Sequence, residues 1–224
     1  MLIISHKSSL EFKEFLNKNN FTWIETIDNP NLDLRIADHP DLSIFKLDDN
    51  SLIIDKKLVG YYKKYMKDYN IIAGESVDIS YPNDCIYNVY RDSNYYIHNE
   101  HTEKHIKLSM EDRSLEQLFV KQGYTRCSIV PMGDKILTSD YGIYKSLKDR
   151  IEVILLKDED IPLDGFPNGF LGGCCGFFKN TLLFNGNIEE LKSYEIIKKE
   201  AMRSGVKLLY PKCDLLDTGS IFIL

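Results

Sequence analysis

A thiol, an imidazole and carboxylates brought to one spot make a nucleophilic site, and this chain carries such residues at recurring positions. The stretch Gln122-Gly123-Tyr124-Thr125-Arg126-Cys127-Ser128-Ile129-Val130-Pro131 delivers Cys127 at the mouth of an apolar strand, just after a glycine turn. Comparable strand starts carry Asp38-His39-Pro40-Asp41, Asn83-Asp84-Cys85, Gly173-Cys174-Cys175 and Asp217-Thr218-Gly219-Ser220. Turn formation alone accounts for Asp38 and Asp84 but poorly for His39 and Cys127. A lone cysteine beside Ile129 and Val130 also suits a small core residue. The repeated layout favours Cys127 as nucleophile, with His39 and Asp217 as its partners. Cys174-Cys175, set between glycines, reads as close-packed small residues, although Cys175 could also line the site.

The elements that would position these residues recur in one order. From Leu42 to Ile72 the pattern is strand Leu42–Leu47, a turn at Asp48-Asp49-Asn50, strand Ser51–Ile54, a helix through Leu58, Tyr61, Tyr62, Tyr65 and Met66, and strand Asn70–Ile72. The same β-β-α-β order follows from Cys85, with a charged helix near Thr102 to Met110. It follows again from Cys127, with helix Tyr141 to Lys148, and from Cys174, with helix Ile188 to Arg203. The chain begins β-α-β (Leu2-Ile3-Ile4, helix Ser9–Lys18, strand Phe21–Ile24) and ends on one apolar strand, Ile221–Leu224. Joined in space, the two ends complete a fifth unit. The sequence therefore predicts an α/β (α+β) ring of five ββαβ units in one domain, 1–224, with no open sheet edge. In such a ring each unit presents the start of its first strand to the centre.

Composition narrows the partners. No run of eighteen apolar residues exists, so no membrane span is expected, and no secretory signal is read before Lys7. A net charge of −6 with interleaved signs excludes the basic stripe of a nucleic-acid groove. Five cysteines without a CxxC pair argue against a disulfide framework or a zinc knuckle and for reduced thiols in the cytoplasm. His98, His101 and His105 have spacings compatible with one helical face, but their charged segment reads as solvated surface. Neither a metal nor an organic cofactor is expected.

With these residues in view the chain resembles the guanidino-group-modifying enzymes, the pentein or α/β-propeller fold of arginine and agmatine deiminases, dimethylargininases and amidinotransferases, and most closely a bacterial group with this fold. His39-Pro40-Asp41 matches their H-x-D motif, and Gly123 to Cys127 resembles their G-x-R-C segment. Their E-G-G-D turn, one unit before the histidine, corresponds to Asp217-Thr218-Gly219-Ser220 when the ring is traced across the termini, so the unit order is circularly shifted relative to the deiminases. Two departures stand out: the second acid of that turn is missing, and Gly172 to Gly176 has no counterpart of the T-R-D aspartate. The resemblance implies a cysteine-dependent hydrolase or amidinotransferase acting on a small cationic guanidine or amidine through a covalent thioether. Cys127, His39 and Asp217 would be catalytic, and Asp41, Asp38, Asn83, Arg126, Ser220 and Cys175 would bind substrate. The alternative is a catalytically inactive binding module on the same ring.

Overall fold

The computed structural model describes all 224 residues and contains fifteen strands and five α-helices. In chain order they are β1 (Leu2–Ile4), α1 (Leu10–Lys18), β2 (Trp23–Glu25), β3 (Ile44–Lys46), β4 (Ser51–Asp55), α2 (Val59–Tyr62), β5 (Asn70–Gly74), β6 (Tyr90–Arg91) and β7 (Tyr95–His98). There follow α3 (Lys104–Asp112), β8 (Glu116–Phe119), β9 (Val130–Met132), β10 (Lys135–Thr138), α4 (Tyr141–Leu147), β11 (Val153–Leu155), β12 (Cys175–Phe178), β13 (Thr181–Phe184), α5 (Tyr194–Arg203), β14 (Lys207–Leu209) and β15 (Phe222–Ile223). No helix is long and apolar enough to cross a membrane.

The strands form five three-stranded sheets, each with a central strand antiparallel to one neighbour and parallel to the other. In four sheets a hairpin makes the antiparallel pair, and in all five the helix supplies the crossover that a parallel pair needs. The β9–β10 and β12–β13 turns use left-handed backbone, Gly133 at φ 71° and Lys179 at φ 51°. Three of the five helices start where a side chain captures an orphan amide: Ser9 for Phe12, Glu103 for Ile106 and Asp140 for Ile143. As the sequence predicts, the fifth sheet joins the two ends of the chain. Ile3 lies opposite Phe222 in antiparallel register and beside Ile24 in parallel register.

Five apolar clusters staple the units into a cycle. Phe45 and Ile53 meet Tyr87, Tyr96 and Ile106; Ile97 and Leu118 meet Ile136 and Ile143; Met132 and Leu137 meet Phe184 and Ile197. Leu183 then meets Leu2, Phe12, Leu16 and Ile221, and Ile3 and Ile24 return to Ile44, Leu52 and Ile54. Every unit therefore buries apolar area on both flanks, and none is left with a bare face.

Several elements are shorter than the pattern suggests. The polar residues before each first strand lie in turns, not in the strand itself. Pro40–Leu42 and Leu171–Cys174 are 3₁₀ turns, and the Asn88 and Ile129 amides are taken by Cys85 O and Arg126 O. Those turns consume the amides that a strand would pair, so β3, β6 and β9 begin two to five residues late. Helix α5 starts at Tyr194 rather than Ile188 because the Glu159 carboxylate accepts the amides of Lys192 (2.8 Å) and Ser193 (2.7 Å), holding them in the preceding turn.

Candidate active site

Three units deliver the central residues. His39 sits immediately before the 3₁₀ turn, where Pro40 presets the backbone at its first position. Against it lies the turn Asp217–Ser220, in which Gly219 adopts φ 78° and comes so close that a Cβ there would fall 2.3 Å from His39 Cβ. The Asp41 amide donates to Gly219 O at 3.2 Å, fixing the two segments together. Ser220, also left-handed at φ 67°, points its hydroxyl to Asp41 Oδ2 at 2.6 Å. Cys127 enters from the third unit and donates its S–H to the same oxygen at 2.9 Å.

Asn88 completes this cluster from the second unit. Its Nδ2 lies 3.0 Å from Cys127 Sγ, and its Oδ1 accepts the Cys127 amide at 3.1 Å. The sequence reading missed it because Tyr87-Asn88-Val89-Tyr90 looks like continuous strand; a polar residue within that apolar run was the available signal. Asp217 is gripped by the amides of Phe170 (2.7 Å) and Gly219 (3.0 Å). Glycine is required opposite it, because a Cβ on Gly173 would stand 2.0 Å from Asp217 Oδ1. Beside the cluster, Tyr124 donates to Asp84 Oδ2 at 2.6 Å, and its ring lies 5.9 Å from that of Phe170.

Two buried carboxyls, a buried imidazole and a buried thiol share the site, and burial is the largest influence on each. Asp41 is fully buried, and its Oδ1 has no hydrogen-bond partner. Burial pushes the Asp41 carboxyl above the usual carboxylate range, against the bonds from Cys127 and Ser220. Burial likewise raises Asp217, where His39 opposes the shift and Asp41 reinforces it. Burial lowers His39, although the charges of Asp217 and Asp38 pull the other way. Cys127 is pushed well above the ordinary thiol range by burial and then by the charges of Asp41 and Asp217. The resting thiol is therefore held protonated rather than partly ionised.

The other expected site residues divide. Asp38 is buried, but Lys7 Nζ (2.6 Å) and the Ser5 hydroxyl already occupy its carboxylate. Asn83 is exposed and lines a separate polar depression with Lys56, Asp78 and His101; Asn88, five residues on, touches the thiol instead. Arg126 spends its guanidinium on the carbonyls of Ile129 (3.2 Å), Gly172 (3.4 Å) and Cys175 (3.2 Å). Cys175 is fully buried beneath it, its thiol raised to about 11 by burial against the pull of Arg126. His98 ends β7 and is buried, whereas His105 lies on α3, so the three histidines share no helical face. His6, Asp28 and Asp38 bring ligand atoms within 4.8 Å of one another, but the Lys7 ammonium already takes the cation position, 2.6 Å from Asp38 and 3.9 Å from Asp28.

Solved structures share this architecture at low sequence identity. A dimethylarginine dimethylaminohydrolase, as an adduct with S-methyl-L-thiocitrulline, is 8% identical with a TM-score of 0.58, over 94% of this chain and 91% of its own. An agmatine deiminase from C. jejuni is 10% identical (TM-score 0.54, 94% and 74% covered). An amidinotransferase of the saxitoxin biosynthetic pathway from Microseira wollei is 12% identical (TM-score 0.55, 92% and 77% covered). The chain thus has the pentein fold of guanidino-group-modifying proteins. No curated protein sequence matches it. Residues 3–222 match the profile of the Family of unknown function (DUF6873), and the chain belongs to that family.

Proposed function

We propose that the chain is a cysteine-dependent hydrolase or amidinotransferase acting on a small guanidine or amidine, as one domain in the reducing cytoplasm, where its five free thiols would persist. The observation that carries this reading is the convergence of Cys127, Asp41 and Asp217, with His39, from three units of a ring whose structural relatives process guanidino compounds. The unit order is read as circularly shifted relative to the deiminases, with the Asp217 turn standing one unit before His39 across the termini.

A guanidinium is a planar cation that carboxylates hold by forked hydrogen bonds. Placed against Asp41 and Asp217, it offsets the charge that keeps the proton on Cys127. Sγ then bonds to the central carbon, and the proton lost by the thiol reaches the departing nitrogen through His39. The C–N bond breaks, the amine leaves, and an S-linked amidinium remains. Water, or an acceptor amine, adds to that carbon while His39 takes its proton. The C–S bond then breaks with its electron pair going to sulfur, giving a urea or a transferred amidino group, and His39 returns its proton to restore the thiol. Ser220 and Asn88 position Asp41 and Cys127.

The second reading, a binding module, draws support from Cys127 being only 3% exposed and from Gly172-Gly173 supplying no third carboxylate. Brief labelling with a haloacetamidine at neutral pH separates the two. Under the catalytic reading Cys127 is alkylated faster than Cys85, Cys174, Cys175 or Cys213, and His39→Ala slows it. Even labelling, or labelling confined to Cys174 and Cys175, leaves Cys127 as packing and favours the binding module.

A further inference from the structure

The ring has a second mouth. Residues before the first strands of the units gather at the Cys127 site, whereas residues late in those strands line a cavity of about 930 Å³ at the other end. Every unit contributes a wall, through Lys46, Arg91, Pro131, Phe177 and Phe222. Although the whole chain carries −6, the side-chain cations here (Lys46, Arg91, Arg126, Lys179) outnumber the acids (Asp49, Asp92).

Each nearby carboxylate has a partner, Asp92 through one oxygen only. Asp49 pairs with Lys46 at 3.0 Å, Asp48 with Arg113 at 2.7 Å, and Asp92 accepts the amides of Asn94 and Tyr95. Arg126 bonds only to backbone carbonyls. Arg91 is left over, with its Nε buried and no hydrogen-bond partner. A buried donor of this kind is costly unless something accepts from it. Tyr90, Phe177 and Phe222 line the same cavity.

We infer that this cavity binds a small organic oxyanion with an aromatic body, Arg91 gripping the oxyanion and the aromatic walls holding the body. A guanidinium fork suits carboxylate and phosphate alike, and the volume suits a single small molecule. The site is separate from the Cys127 chemistry and does not depend on it.

Fluorescence titration of the full chain with 1-anilinonaphthalene-8-sulfonate tests it. One saturable site is expected, from which 2-naphthoate or 2-naphthyl phosphate displaces the dye while the neutral 2-naphthalenemethanol does not. The stronger of the two competitors identifies the oxyanion. Arg91→Gln weakens dye binding by about tenfold or more, the loss expected for a charge-assisted hydrogen bond, and Arg91→Lys restores part of it. Absence of a saturable site, equal displacement by the neutral alcohol, or an Arg91→Gln chain that melts normally and binds the dye unchanged would overturn the assignment. The competition arms use the unaltered chain, so they decide the matter even if the variant does not fold.

Discussion

Asp41→Asn is the most informative single change at the candidate site. The aspartate is fully buried and takes two hydrogen bonds on one oxygen, from Cys127 (2.9 Å) and Ser220 (2.6 Å). Its charge and its bond to the thiol both favour the protonated sulfur. Asparagine keeps the shape and the Ser220 contact but removes the charge. A hydrogen bond to a charged group contributes about 1.5–3 kcal/mol, so thiolate formation at a fixed pH becomes easier by roughly 10- to 150-fold. The assay is the alkylation rate of Cys127 by neutral iodoacetamide between pH 7 and 9, followed by peptide mass spectrometry. Cys174, also buried and raised by burial and Asp217 rather than Asp41, controls for altered access. The Cys127/Cys174 rate ratio should rise, while any preference for a cationic haloacetamidine over iodoacetamide should shrink, because an anion that attracts the cation is gone. A ratio that stays constant or falls would refute the reasoning, because it would mean that Asp41 supports the thiolate through a neighbouring cation rather than holding the proton on sulfur.

Ile221→Ala, at a side chain 2% exposed among Leu2, Phe12, Leu16 and Leu183, should cost about 2–5 kcal/mol and lower the melting temperature by roughly 4–20 °C; an unchanged melt would show that the last strand is not stitched to the first. Gly173→Ala places a methyl 2.0 Å from Asp217 Oδ1, which two amides prevent from moving aside, so a loss of about 1–3 kcal/mol in urea titration is expected. His39 gains a proton less readily folded than unfolded, because burial lowers it. Its contribution is therefore complete above pH 6.5, the ordinary histidine value, and is lost as pH falls through the lower folded value. His39→Gln should flatten that acid limb of the melting temperature, and an equally steep limb in the variant would place its origin elsewhere.

The repeat was legible because four units each set a short apolar hairpin before a helix, and Leu2-Ile3-Ile4 and Ile221–Leu224 are incomplete without each other. The contact among Cys127, Asp41 and Ser220 was legible only through the ring, since 86 residues separate Asp41 from Cys127 and 179 separate Asp41 from Ser220. Asn88 was hidden because an asparagine inside Tyr87–Tyr90 shows its role only when the backbone turns at Cys85 and aims it inward. Asn83 misled for the complementary reason: as a turn former it needs no partner, and it faces solvent. The inward course of Arg126 toward three carbonyls depends on where the fourth unit sets Gly172 and Cys175, which no local pattern encodes.

Closing a cycle through Leu2, Ile3, Phe222 and Ile223 also dictates an order of events. Four hairpin-helix units draw on contacts within a few dozen residues and can form early, whereas the fifth must bring together segments separated by nearly the whole chain. The entropy of so long a closure grows only slowly with length, but the search for it is slow. Until it ends, the Leu2-Ile3-Ile4 strand lacks its partner in β15 and the flanks of β13 and β4 lack their covering cluster. The interval before closure is thus the period in which this molecule is most exposed to edge pairing with another copy, and its folding yield should fall with protein concentration more steeply than its equilibrium stability suggests.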